Sequence, residues 1–362
     1  MTAIRSNRPA WIVVVATAAL NLITVQLAPA ADVAQVAPSQ AAPIKPVNPL
    51  DAQRAYGYLL EICAIGPRPS GSPGMEKQQA FLEAYFKKAG GQVSLQRFTA
   101  NHPKGGDVAM ANILVEWHPE RKERILLVAH YDTRPHADRD VDPAKRRDGP
   151  FIGANDGASG VAVLMELAHL MPKLEGPVGV DFLLVDGEEL VYTEGQDPYF
   201  LGSTSFSRQY AKNPPPHKYH WGVVLDMVGD ANLSIYQDRF STSWSETRPL
   251  VKSIWATAAR LGVKEFIPRV GYVVQDDHVP LRNTAKIPAV DLIDFADAGG
   301  TTPPAYWHTT QDTPQRCSGS SLAKVGWVVY EWLKSEQLAA AARATAKAQQ
   351  AKATESPAAP TP

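Results

Sequence analysis

The chain lacks most of the features that assign a function at first sight. It has only two cysteines, Cys63 and Cys317, in 362 residues, so no disulfide framework organises the fold. It has no basic excess: 36 Lys and Arg stand against 37 Asp and Glu, and no basic run offers a surface to phosphates. That balance excludes a nucleic-acid partner. Its apolar run near the start, Ala10 to Leu20, is shorter than the roughly 20 residues that a membrane span needs. No internal repeat is present. What remains is ordinary for a soluble globular protein, at 44% hydrophobic and 20% charged residues.

The ends read differently from the middle. Arg5 and Arg8 precede the apolar run, and "LAPAAD" gives Ala28 and Ala30 the small-x-small spacing of a signal-peptidase site. Residues 1–30 are therefore expected to be a cleaved signal peptide; the rival reading, an uncleaved anchor, is disfavoured by Asn21 interrupting the run. Export implies a periplasmic or secreted protein with no membrane association beyond that signal. It also favours a Cys63–Cys317 disulfide over two buried thiols. Residues 31–48 are rich in Ala and Pro and read as a flexible leader; residues 339–362, mostly Ala, Lys, Thr and Pro, read as a disordered tail whose start extends the last helix.

Between them, over 49–338, strands and helices alternate. "DAQRAYGYLLEIC" is a helix with a cap at Asp51, and "PGMEKQQAFLEAYFKKAGG" is a second, opened by Pro73 and closed by Gly90 and Gly91. "GQVSLQRFTA" and "MANILVEW" alternate like half-buried strands. "RILLVAHYD" is the apolar run of a central strand covered on both faces, "VGVDFLLVD" and "WGVVLDMVG" are two more buried strands, and "IPAVDLIDF" is a late strand. "SGVAVLMELAHLM", "LVKSIWATAARLG" and "SSLAKVGWVVYEWLKSEQL" are helices. The predicted fold class is α/β: a single domain with a mixed, largely parallel central sheet and helices on both faces. Active sites of such sheets lie at the carboxyl ends of the strands.

Those ends are where polar residues gather. "LLVAHYD" delivers His130 and Asp132; "LLVDGEE" delivers Asp186, Glu188 and Glu189; "VVLDMVG" delivers Asp226. "GANDGASG" holds Asp156 between glycines, and "AYWHTTQDT" holds His308 beside Trp307. Imidazoles and carboxylates in this supply suit Zn²⁺. A cation would also relieve the repulsion between adjacent Glu188 and Glu189, leaving one of them free to carry protons.

Taken in order, "AHYDT", "GANDGASG", "DGEE", "LDMVG" and "YWHTTQDT" resemble the zinc exopeptidase superfamily, which contains co-catalytic aminopeptidases and glutaminyl-peptide cyclotransferases. "QDDHVP", Trp307 directly before His308, and "AVDLID" with Asp291 resemble the bacterial cyclotransferases. That resemblance implies that Asp156, Glu189 and His308 hold one Zn²⁺. It implies that Glu188 is the general acid/base within a carboxylate network completed by Asp226 and Asp276, with Asp277 as the alternative to Asp276. Trp307, Asp291 and an unmetallated His130 fall on the substrate-binding side. The substrates implied are peptide or protein N-termini, cyclised at glutamine to pyroglutamate with release of ammonia. One departure touches the pocket: a tryptophan that follows the paired glutamates in animal cyclotransferases has no match, and "LVYTEGQDPYF" offers Tyr192, Tyr199 and Phe200 instead. The competing reading is a secreted aminopeptidase with a second zinc on His130 and Asp226; a non-catalytic relative is a third, opposed by the intact acids. "ELAH", with Glu166 and His169, reads as a solvated helical face, and "DPAKRRDG" as an exposed loop.

Overall fold

A computed structural model describes residues 46–104, 106–295 and 302–355. The expected signal peptide and nearly all of the expected leader lie outside the described residues. Strands β1 (Gln92–His102) and β2 (Gly106–Trp117) form an antiparallel hairpin. They join β3 (Glu123–His130), β4 (Val178–Val185), β5 (Lys218–Asp226) and, later in the chain, β8 (Ala289–Ile293) in a six-stranded sheet of order β1-β2-β4-β3-β5-β8. Pairs β4–β3, β3–β5 and β5–β8 are parallel and β2–β4 is antiparallel, so the sheet is mixed and largely parallel as predicted. The parallel strands are buried along nearly their whole length, which is why they read as unbroken apolar runs. Short strands β6 (Ile235–Gln237) and β7 (Phe266–Val270) form a separate pair.

The helices are α1 (Ala52–Ala64), α2 (Pro73–Ala89), α3 (Pro143–Asp148), α4 (Ser159–Ala168), α5 (Leu201–Lys212), α6 (Arg239–Ser243), α7 (Arg248–Leu261), α8 (His278–Asn283) and α9 (Gly319–Glu355). Local chemistry sets their ends. Asp51 accepts the backbone N–H groups of Gln53 and Arg54, and Gly90 and Gly262 stop α2 and α7 in the left-handed conformation. Alternate residues of β3 serve opposite faces. Ile125, Leu127 and Ala129 pack with α1, α4, α7 and α9, whereas Leu126 and Val128 pack with Phe206 of α5 and Leu281 of α8.

Several expectations change. Helix α4 is buried on every side because it lies between the sheet, α1 and α9. Within it Glu166 is no solvated side chain: Arg54 Nε donates to its Oε2 at 2.7 Å and the Asp51 N–H to its Oε1 at 2.8 Å. "DPAKRRDG" is helix α3, capped by Asp142, and its side chains are exposed. Cys63 and Cys317 are free thiols in the main core, and burial pushes the Cys63 thiol up to about 12. They pack as small hydrophobes and form no disulfide. Helix α5 escaped notice because "LGSTSFSRQYAK" is serine-rich and lacks a broad apolar stripe. Buried packing begins at Leu50 and continues to Ala340. Helix α9 runs on to Glu355 through the expected tail, since alanine, lysine and glutamine are strong helix formers. Among the described residues no helix is long and apolar enough to cross a membrane.

Gly160 lets α4 close onto β5: a Cβ there would stand 2.1 Å from the Leu225 carbonyl oxygen. Backbone on both sides leaves no room to yield. Gly160→Ala should therefore cost about 1–3 kcal/mol by overpacking, despite about 1 kcal/mol returned by helix propensity. A urea midpoint equal to the parent's would show that the two elements separate without penalty.

Candidate active site

Parallel strands deliver their last residues to one edge. His130 ends β3 and Asp226 ends β5. After β4 the chain turns at Gly187, φ 69°, and presents Glu188 and Glu189. The loop before α4 brings Asp156, and the segment before α9 brings Trp307 and His308. Two buried carboxylates hold these loops by their backbones. Asp132 accepts the N–H of Glu188 and of Glu189, both at 3.0 Å. Asp312 accepts the N–H of Asn155 at 2.8 Å and of Asp156 at 3.0 Å. Spacing alone singles out neither as a site residue. Asp132 stands two places after His130, and Asp312 follows His308 within the same motif, which is the only sequence trace of the clamps. Asp186 turns away from the cluster, accepting from Ser70 Oγ at 2.6 Å and the Ala111 N–H at 3.0 Å.

Three of the predicted residues converge. His308 Nε2 lies 2.7 Å from Glu189 Oε1 and 3.4 Å from Asp156 Oδ2. All three are buried and offer ligand atoms within 4.8 Å of one another. Asp156 Oδ2 and Glu189 Oε2 have no hydrogen-bond partner. Buried carboxylate oxygens without donors are costly, and the donor set of one imidazole and two carboxylates fits Zn²⁺. His130 lies behind them. Its Nε2 is 3.1 Å from Asp226 Oδ1 and 3.2 Å from Asp156 Oδ1, so His130, Asp156 and Asp226 form a second group of the same kind. His130, Glu188 and Glu189 form a third.

The electrostatics follow from burial and crowding. Burial, then the charge of Glu189, raises the Glu188 carboxyl well above its ordinary range; the charges of Asp276 and Asp277 add to this. Burial raises Asp226 to about 7 despite His130, and burial likewise raises Glu189 and Asp276. Asp156 goes the other way: burial opposes its ionisation, but His130 and His308 outweigh it. Both imidazoles are pushed up by the surrounding acids against the effect of burial. Acids thus outnumber the imidazoles at this edge of the sheet, which suits it to a cation.

A cavity of about 300 Å³ opens over these groups, lined among others by Asp156, Glu188, Glu189, Asp226, Asp276 and His308. Trp307 forms part of its wall, its ring 3.8 Å from that of His308 and 4.9 Å, edge-on, from Phe295. Tyr199 and Phe200, two of the aromatics that follow the paired glutamates, line it as well. Asp276 faces the cavity, whereas Asp277 is buried and takes a hydrogen bond from Ser203. Of the residues expected on the substrate side, Trp307 lines the cavity. His130 and Asp291 do not: His130 sits beneath the acids, and Asp291 is 1% exposed on β8 with both carboxylate oxygens unpartnered. Met227 and Phe295 also line the cavity, and sequence patterning gave no sign of either. Phe200, Met227 and His308 are non-glycine residues with φ of 60°, 50° and 55°, so strain collects at this wall. A larger groove of about 660 Å³ lies between α2 and the β1–β2 hairpin, but none of the clustered metal-ligating groups lines it. Chemistry rather than size marks the site.

The profile of peptidase family M28 matches residues 112–333, the span from β2 to α9 that carries every one of these groups. The chain belongs to peptidase family M28. Within the family it belongs to the glutaminyl cyclase branch. The crystal structure of Fimbriiglobus ruber glutaminyl cyclase superposes with a TM-score of 0.73 at 38% identity, covering 81% of this chain and 99% of that one. That of Porphyromonas gingivalis glutaminyl cyclase gives a TM-score of 0.73 at 32% identity, over 80% of this chain and 100% of the other. The glutaminyl-peptide cyclotransferase-like protein of Mus musculus is 29% identical over 293 residues, 74% of this chain and 71% of its own length.

The Asp312 clamp can be tested in this M28 framework. Asp312→Ala leaves two buried N–H groups without an acceptor, at about 1–3 kcal/mol each. The variant should melt at lower temperature and retain less zinc after dialysis. Parental melting and zinc content would mean that the loop carrying Asp156 holds itself.

Proposed function

We propose that the chain is a glutaminyl-peptide cyclotransferase, closing an N-terminal glutamine of a peptide or protein into pyroglutamate and releasing ammonia. The observation that carries the reading is that Glu188, a carboxyl of raised pKa, shares one cavity with the aromatic side chains of Trp307 and Phe295. It lies beside Asp156, Glu189 and His308, a group able to hold a metal ion without it, although Glu188 also forms such a group with His130 and Glu189. The named relatives support the same reading.

In this reading Asp156, Glu189 and His308 hold one zinc ion, which when bound would polarise the side-chain carbonyl of the substrate. The chain's own residues do the rest. A cavity of this size admits one side chain with its α-amine, so the substrate is an exposed N-terminus. Glu188 takes a proton from the α-amine as the new nitrogen–carbon bond forms to the side-chain amide carbon. It returns that proton to the departing nitrogen, which leaves as ammonia. Burial and the charges of Glu189, Asp276 and Asp277 make Glu188 basic enough to accept the proton, and His130, which lowers it, helps it to return that proton. Trp307 and Phe295 exclude water that would otherwise hydrolyse the amide. Because nucleophile and electrophile belong to one residue, their proximity is supplied by the substrate. His130 and Asp291 act from beneath the cavity, on the acids rather than on the substrate.

A second reading, a two-zinc aminopeptidase, is favoured by one observation: His130, Asp156 and Asp226 form a further metal-ligating group sharing Asp156. Export to the periplasm or medium rests on residues 1–30 of the sequence.

Purified protein should release ammonia from a glutaminyl peptide and leave a leucyl substrate intact, with one zinc per chain by elemental analysis. Glu188→Gln should keep its zinc and lose about 100- to 10,000-fold in turnover. Leucine release, or two zinc ions per chain, would replace this reading by the aminopeptidase.

A further inference from the structure

Arg134 follows Asp132 on the segment leaving β3 and is fully buried. A buried guanidinium must find acceptors for a rigid fork of five N–H groups. Two lie on Asp138: Nε donates to Oδ1 at 2.9 Å and Nη2 to Oδ2 at 3.1 Å. Nη2 also reaches Glu194 Oε2 at 2.9 Å and the Tyr199 hydroxyl at 3.1 Å, with the Tyr199 ring 5.5 Å from the guanidinium carbon. Nη1 makes no hydrogen bond and stands 3.6 Å from Glu189 Oε1. Asp138 Oδ1 in turn lies 3.5 Å from His308 Nδ1, the nitrogen opposite the one that faces Glu189.

One cation therefore meets three parts of the site. It lies beside Glu189 directly. It reaches His308 through Asp138, whose carboxylate stands at ion-pair distance from Nδ1, a nitrogen with no hydrogen-bond partner, and leaves Nε2 on the side of Glu189 and Asp156. Through Tyr199, which also donates to Glu194, it reaches the cavity wall. A purely structural arginine would be satisfied by Asp138 and Glu194. Here one nitrogen is left over and aimed at a metal-ligating acid.

We propose that Arg134 is a positioning residue that sets metal retention and substrate binding together, by fixing Glu189 and His308 on one side and the Tyr199 wall on the other. The inference rests on the assignment of Asp156, Glu189 and His308 as metal ligands. Arg134→Lys keeps a charge but cannot span these partners. It should lose zinc affinity by about 10- to 100-fold, the usual effect of removing an outer partner of a ligand, and should raise KM for a glutaminyl peptide. Zinc affinity is read by competition with a chromogenic chelator, independently of turnover. The two effects should separate in other variants. Asp138→Asn should weaken zinc with little change in KM at saturating metal, whereas Tyr199→Phe should raise KM and keep parental zinc affinity.

His308→Ala serves as the reference. If it keeps its zinc, the metal assignment falls. If it loses zinc while a folded Arg134→Lys keeps parental zinc affinity and KM, the assignment stands and the positioning role falls. Should Arg134→Lys fail to fold, as judged by circular dichroism, Asp138→Asn and Tyr199→Phe decide. Separate losses of zinc affinity and of substrate binding support the role, and parental values in both overturn it.

Discussion

The structure depends on holding several carboxylates together at one edge of a parallel sheet. Asp156, Glu188, Glu189, Asp226 and Asp276 share the wall of one small cavity, and His130 and His308 are the imidazoles set among them. Like charges at this density destabilise a fold unless they are neutralised, protonated or tied down. All three happen here. The histidines favour the ionised form of Asp156, and burial favours the protonated forms of Glu188 and Asp226. Asp132 and Asp312 tie down the backbones on either side. A divalent cation is the remaining remedy, and the donor atoms are placed for one.

The scaffold makes this arrangement rigid. Helix α4 starts just after Asp156 and is enclosed completely, so the loop before it cannot drift. Gly157, φ 97°, admits the close approach of that loop to the end of β3, where a Cβ would meet the Asp132 carbonyl oxygen at 2.5 Å. On the far side Phe200, Met227 and His308 hold left-handed backbone conformations that non-glycine residues seldom adopt. Packing enforces these conformations, and the side chains they aim form the wall of the cavity.

That wall is aromatic and tied to the acids. Trp307 lines it with its ring tilted against that of His308. Tyr199 and Phe200 line it too, and Tyr199 is joined through Arg134 to Glu189. Membership of family M28 accounts for the sheet and for a group of residues able to hold a metal ion. The specific chemistry is decided by what surrounds Glu188, since a proton carrier beside a polarising cation serves hydrolysis and cyclisation alike.

The parallel strands, their order in the chain and the acids at their ends were legible because burial on both faces leaves a plain signature. "RILLVAH" and "FLLVDGEE" are apolar runs that stop at polar residues. Asp156, Glu189 and His308 were readable because ordered motifs carry them. Tertiary structure alone decided the remainder. It turned Asp186 away from its neighbours, sent Asp276 into the cavity and Asp277 to Ser203, and placed His130 beneath the acids. It also revealed Asp132 and Asp312 as clamps, and Arg134 as the link between ligands and wall. Sequence records which groups a strand end carries, since hydrophobic pattern is local. Which way each group faces, and what it meets across 50 or 150 residues of chain, depends on contacts that exist only after the sheet has closed.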